Sequence, residues 1–148
     1  MTVVADRAGK YDDLGLNSIS DRLSDVGPMG GLQTALADAP VGHDWILLAS
    51  CDLAVVRLAW IRSLLASRHP GAKIVAFKPG RWQPLLALYH RDLGEQVDLR
   101  IAKKELTMWR FLDAVQTIAP PTPADWPTLI QINTPEELRR FEFLASGR

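Results

Sequence analysis

The chain has one cysteine among 148 residues, so no disulfide forms within it, and no cysteine–histidine cluster has zinc-site spacing. No apolar run approaches the roughly 18 residues of a membrane span. The N-terminus lacks the charged stretch and apolar core of a signal peptide. These absences predict a cytoplasmic protein with no membrane partner. An excess of one charge is also lacking, because 17 Lys+Arg balance 17 Asp+Glu. Phosphate-backbone binding needs clustered, uncompensated cations. The densest basic spot, Arg100, Lys103 and Lys104, has Glu105 beside it and reads as a solvated helix face, so no nucleic-acid partner is expected. His43, His69 and His90 have no acid or nucleophile at recognisable spacing, and Cys51 has no histidine near it in sequence. A Cys/His nucleophilic site is therefore disfavoured.

An apolar share of 47% places the chain among globular domains rather than disordered ones, and residues 1–148 read as one domain without internal repeats. Val3–Ala5 reads as a buried strand and Asn17–Ser20 as a weaker one. Gly27-Pro28-Met29-Gly30-Gly31 is a turn cluster opening a helix over Leu32–Ala37. Trp45–Ala49 is continuously apolar, as a central strand covered on both faces would be. Apolar positions 58, 61, 64 and 65 predict a helix over Val55–Leu65, stopped by His69-Pro70-Gly71. Strands are predicted over Lys73–Phe77 and Pro84–Tyr89, with a turn at Lys78-Pro79-Gly80. Two helical stretches follow, the second burying Met108, Phe111, Leu112 and Val115. Ala119–Pro123 is a surface connection. Thr128–Ile132 reads as a strand. Thr134-Pro135-Glu136-Glu137 then combines a Thr cap, Pro at the first helical position and Glu three after the cap. Leu138, Phe141 and Leu144 would be the buried stripe of a terminal helix. This alternation predicts an α/β layered domain on a mostly parallel sheet.

Ligands of open α/β sheets bind beyond the carboxyl ends of strands, which singles out three places. Gly27, Pro28, Gly30 and Gly31 at a helix entry let a ligand approach unsatisfied backbone N–H groups; a tight turn without a ligand is equally compatible. The cluster is neither a Walker loop nor a dinucleotide fingerprint. Asp52 follows a wholly apolar strand and could hold magnesium, a hard ion shared with nucleotide phosphates, or cap the next helix. Asn133, in Gln131-Ile132-Asn133-Thr134, faces a ligand or only shapes a turn.

Taken in order and spacing, Gly27 to Leu32, Ser50-Cys51-Asp52, Gln83 to Tyr89 and Ile132 to Leu138 resemble the molybdenum cofactor guanylyltransferases, the MobA-like nucleotidyltransferases. The resemblance runs from about Val3 to Phe141. It implies a Rossmann-like three-layer nucleotidyltransferase domain that transfers GMP from GTP to molybdopterin with magnesium and releases pyrophosphate. By it, Gly27 to Gly31 would wall the nucleotide pocket, and Asp52 would be the catalytic magnesium ligand. Asp21 would help hold the nucleotide, although Asp21 followed by Arg22 also suits a surface turn. Arg81, Gln83, Pro84 and Asn133 would face molybdopterin.

Two departures matter. Ala54 stands where the family usually has proline. The family's opening strand and its L-x-G-G-x-S-x-R-M-G loop have no counterpart, and Val3 to Arg7 match its second strand. The chain therefore reads as N-terminally truncated, with the first βα unit and most of the triphosphate site missing. Poor catalysis is expected, together with an unpaired apolar edge that invites a homo-oligomer or a strand-supplying partner. Other expectations left open are a non-catalytic nucleotide- or pterin-binding relative, and a cytidylyl- or sugar-nucleotide transferase.

Overall fold

A computed structural model describes residues 1–127 and 131–145. The strands are β1 (Thr2–Ala5), β2 (Asn17–Ser20), β3 (Trp45–Ala49), β4 (Ile74–Ala76), β5 (Leu86–His90) and β6 (Thr117–Ile118). The α-helices are α1 (Pro28–Ala37), α2 (Leu58–Ala66), α3 (Gly94–Ala102), α4 (Met108–Ala114) and α5 (Pro135–Ala145). β1 and β2 form a parallel pair, and a second sheet has the order β3-β5-β4-β6. In that sheet β5 is antiparallel to β3 and β4, and β4 is parallel to β6. β3, β4 and β6 thus share one direction, and β5 alone is reversed. The predicted α/β fold with a mostly parallel sheet is the fold observed.

The sheet is covered on both faces because β4 and residues 86–89 of β5 are apolar and so present hydrophobic side chains alternately to each side. Ile74, Ala76, Ala87 and Tyr89 meet α1, α3 and α4 through Met29, Leu32, Val97, Phe111 and Leu112. Val75, Phe77, Leu86 and Leu88 meet Trp60 and Leu64 of α2. On that side Trp60 stacks on Trp126, 4.9 Å between centroids, and its indole N–H donates to Asp125 Oδ1 at 2.9 Å.

Several sequence expectations shift by a turn or a face. The first helix begins at Pro28, so Gly30 and Gly31 lie within its first turn rather than before it. Pro28 suits that position, having no N–H to leave unpaired. α2 begins at Leu58 instead of Val55, behind an extended Arg57. β6, at two residues, is too short to signal itself in the sequence. The capping motif forms as expected: Glu137 N–H donates to Thr134 Oγ1 at 3.1 Å, and Glu137 Oε2 accepts from Thr134 N at 3.1 Å. The stripe behind it is not buried, because Leu138 is 44% exposed and Phe141 only half-buried. The side chain at position 144 and the 128–130 part of the predicted last strand lie outside what is described.

β3 is the largest correction. Among the described residues it pairs only with β5, and β1 only with β2, so each has one unpaired edge. Helix α1 packs against both strands. β3 is therefore an edge rather than a central strand, with Leu47 37% exposed while β4 and residues 86–89 of β5 are buried. An apolar edge with unpaired N–H and C=O groups is a template for another strand, and lysine on it blunts that tendency. Leu47→Lys is expected to reduce concentration-dependent association in sedimentation velocity, and identical profiles for both proteins would argue that the edge is not used.

One buried bond aligns the start of β5. The Tyr89 hydroxyl donates to the Pro84 carbonyl at 2.7 Å, and burial pushes the phenol above its ordinary pKa. It therefore remains a neutral donor. Tyr89→Phe leaves that carbonyl without its partner and is expected to cost about 1–3 kcal/mol, read as a lower urea midpoint at unchanged slope; an unchanged midpoint would show that water replaces the bond.

Candidate functional site

The reversal of β5 builds the site. In the β3–β5 register Ala49 stands opposite Leu86, and Ser50 N donates to Leu85 O at 3.0 Å. The chain leaving β3 therefore runs beside the chain entering β5. The β4–β5 connection turns at the same end: Gly80 has φ +81, which glycine accepts without a steric cost, and Gln83 N donates to Phe77 O at 3.0 Å. Asp52 and the Arg81–Pro84 segment thus converge from stretches about thirty residues apart.

Asp52 does not cap a helix. The cap of α2 is Arg57, without a side-chain cap bond. Instead Asp52 meets the loop that leads into α5. Ile132 N donates to Asp52 O at 2.8 Å, and Leu53 bridges antiparallel to Gln131. Gln131 Nε2 lies 3.3 and 3.4 Å from the two Asp52 carboxylate oxygens; bonds that long are weak. Among the described residues Asp52 has no lysine or arginine within ion-pair distance, and no cluster of three His, Cys, Asp or Glu stands ready for a metal. A half-buried carboxylate of this kind suits magnesium, which keeps several waters and takes one or two carboxylates with substrate phosphates.

Beside Asp52 lies a cleft of about 170 Å³. Arg81, Gln83 and Pro84 line it from the β4–β5 connection, Leu53 and Gln131 from the Asp52 side, and Trp82 and Trp109 close it with indoles. Three residues singled out in the sequence therefore share one cleft next to a fourth. Asn133 is two residues from Gln131; its backbone N–H donates to Glu137 Oε2 at 2.7 Å. Its carboxamide is exposed and has no partner among the described residues, so the side chain is not consumed in shaping the turn.

The glycine cluster and Asp21 form a second group. Gly27 has φ 60 and ψ −149, a region essentially closed to residues with a Cβ. A Cβ on Gly30 would collide with Val26 and lie 3.4 Å from Asp21 Oδ1, whereas Gly31 faces open space. Gly30 is thus explained by packing and Gly31 by access. Asp21 Oδ1 accepts from the buried Thr34 hydroxyl at 2.8 Å and from Leu23 N at 3.4 Å, and Thr34 Oγ1 accepts from Arg22 N at 3.0 Å. Asp21 is therefore held against the first turns of α1, one carboxylate oxygen occupied and the other without a described partner. No described contact joins this group to the cleft.

A larger cleft of about 320 Å³ lies at the other end of the sheet, where Trp45, His69 and His90 meet. Its histidines are engaged in local structure: His69 Nδ1 accepts from Gly71 N, and His90 Nδ1 from Asp92 N. Volume alone does not make it the site.

Sequence reasoning missed Trp82 and Trp109. Trp109 had a signal, since it falls off the buried 108/111/112 face and is 49% exposed.

Comparison with known proteins gives the family and the fold. The chain is 31% identical over 123 residues to the molybdenum cofactor guanylyltransferase of Ectopseudomonas mendocina (strain ymp), covering 82% of this chain and 59% of that protein. It is 31% identical over 133 residues to that of Pseudomonas syringae pv. syringae (strain B728a), covering 88% and 61%. It thus spans about three fifths of these curated relatives. Among solved structures, molybdopterin-guanine dinucleotide biosynthesis protein A of Archaeoglobus fulgidus superposes with a TM-score of 0.75 at 19% identity, over 99% of this chain and 79% of that one. A protein of Aquifex aeolicus VF5 gives 0.78 at 23%, over 90% and 70%. These two likenesses establish the fold. The family model of the MobA-like NTP transferase domain matches residues 1–118, and with that match the chain belongs to the MobA-like NTP transferase family.

Proposed function

We propose that this chain carries part of a guanylyltransferase site that moves GMP from GTP to molybdopterin. The observation that carries the reading is the convergence of Gln131 and the Arg81–Pro84 segment on one cleft, with Asp52 held beside it by Gln131. In the transfer an acceptor oxygen bonds to the α-phosphorus of GTP, the bridging P–O bond to the β-phosphate breaks, and pyrophosphate leaves with the electron pair. Such reactions depend on positioning and on offsetting charge on the phosphates. Asp52 is the residue that would hold magnesium, whose chemistry there is to neutralise phosphate charge. Gly27, Pro28, Gly30 and Gly31, with Asp21, would line the nucleotide side, where Gly31 leaves the backbone open to approach. Arg81, Gln83 and Pro84 would border the acceptor, with Asn133 free to hydrogen-bond it.

A second reading, binding of a nucleotide or pterin without transfer, is favoured by one observation. Arg81 is the only cation lining the cleft among the described residues, and one guanidinium is little to offset a triphosphate. A strand-supplying partner on the β1 and β3 edges, unpaired among the described residues, belongs to this reading.

The test is pyrophosphate release from GTP with magnesium and molybdopterin. Asp52→Ala is expected to lower the rate by roughly 10²- to 10³-fold. Because Asp52 caps no helix, thermal stability should stay within about 0.5 kcal/mol of the parent. A folded Asp52→Ala protein with full activity would overturn the assignment. Calorimetric heat with GTP and magnesium but no pyrophosphate release supports the second reading, and CTP in place of GTP tests the cytidylyl alternative.

A further inference from the structure

We infer that Trp82 and Trp109 form a stacking wall for a flat, fused-ring heteroaromatic acceptor with an anionic group, a pterin rather than the guanine base. This deepens the proposed function and rests on the cleft beside Asp52 being its acceptor side.

Trp82 is fixed before any ligand arrives. Its indole N–H donates to Asp113 Oδ1 at 2.7 Å, Lys78 Nζ lies 4.3 Å from its ring centroid, and Lys78 is 3.7 Å from the same Asp113 oxygen. A cation over the ring and a carboxylate on its N–H lock the indole in place, so it loses little freedom on binding. Trp109 also carries a cation, the Arg110 guanidinium 5.2 Å from its ring centroid, but it is the more open indole. Its neighbours Met108, Phe111 and Leu112 are buried, yet it is 49% exposed at the cleft. What distinguishes Trp109 from the other exposed apolar side chains is its place on the cleft, where an indole gives a large, rigid contact surface.

The cleft volume of about 170 Å³ is below the roughly 300–1,000 Å³ of sites that enclose a whole small molecule. It suits one ring system. Two indoles line it, each with a cation over its ring, the Gln83 and Gln131 amides can pair with ring nitrogens and carbonyls, and Arg81 at the rim complements an anionic substituent. The glycine turn and Asp21 share no described contact with the indoles, which separates this wall from the proposed nucleotide side.

The probe is pterin-6-carboxylate, followed by tryptophan fluorescence quenching and calorimetry on the full chain. Trp109→Ala is expected to weaken it about 5- to 150-fold, the span of ring-stacking losses on alanine substitution. Trp109→Phe, which retains a ring, should stay within a few-fold of the parent. Near-UV circular dichroism checks that each variant is folded. No saturable binding to the parent, unchanged affinity in folded Trp109→Ala, or equal losses in the Ala and Phe variants overturns the inference. GTP binding that depends on Trp109 while the pterin fails to bind also overturns it, assigning the wall to the purine. Trp109-dependent pterin binding without any pyrophosphate release supports the wall and counts against the transferase reading alone.

Discussion

The site depends on one backbone constraint, the antiparallel pairing of β5 against β3. Because Ala49 faces Leu86 and Ser50 N bonds to Leu85 O, the exit of one strand and the entry of the other lie side by side. Were β5 parallel to its neighbours, Arg81, Gln83 and Pro84 would stand at the opposite end of the sheet from Asp52. Tyr89 reinforces the arrangement from within β5, its buried hydroxyl reaching back to the Pro84 carbonyl. Core packing and site geometry therefore share one strand, and disturbance of its register would be felt in both.

The loop before α5 closes the arrangement. Its capping motif fixes where the helix begins, and three residues earlier Gln131 and Ile132 engage Asp52 through backbone and side chain. The carboxylate receives only long amide contacts and, among the described residues, no cation. That leaves it available, unlike the Asp113 carboxylate, which is occupied by Trp82 and Lys78. Asp21 is an intermediate case, with one oxygen spent on Thr34 and the α1 turn. Three aspartates of the same residue type thus differ in role because of what surrounds them.

α1 binds the two halves of the architecture. It packs over β1 and β3 together and buries Met29, Leu32 and Leu36 against the main sheet, although the strands beneath it do not pair with each other. The open edges follow: among the described residues each strand has its side chains partly covered and one row of backbone groups unpaired. Side-chain burial and backbone pairing are separate requirements, and here the first is met better than the second.

Much of this was legible in the residues. The apolar run Trp45–Ala49, the pattern at Asn17–Ser20 and the Thr134–Glu137 cap each correspond to an observed element, because they depend on local periodicity and short-range bonds. The four motifs that led to the family, and Asp52 at the end of its strand, were likewise legible one by one. What the sequence alone could not decide was arrangement. Whether β3 was central or an edge, whether Leu138 was buried, and whether Asp52 capped α2 or met Gln131 all turned on partners distant along the chain. The reversal of β5, the indole wall and the partner of Asp52 belong to tertiary structure for the same reason: periodicity records which face of an element is apolar, but not which neighbour lies beside it or in which direction that neighbour runs.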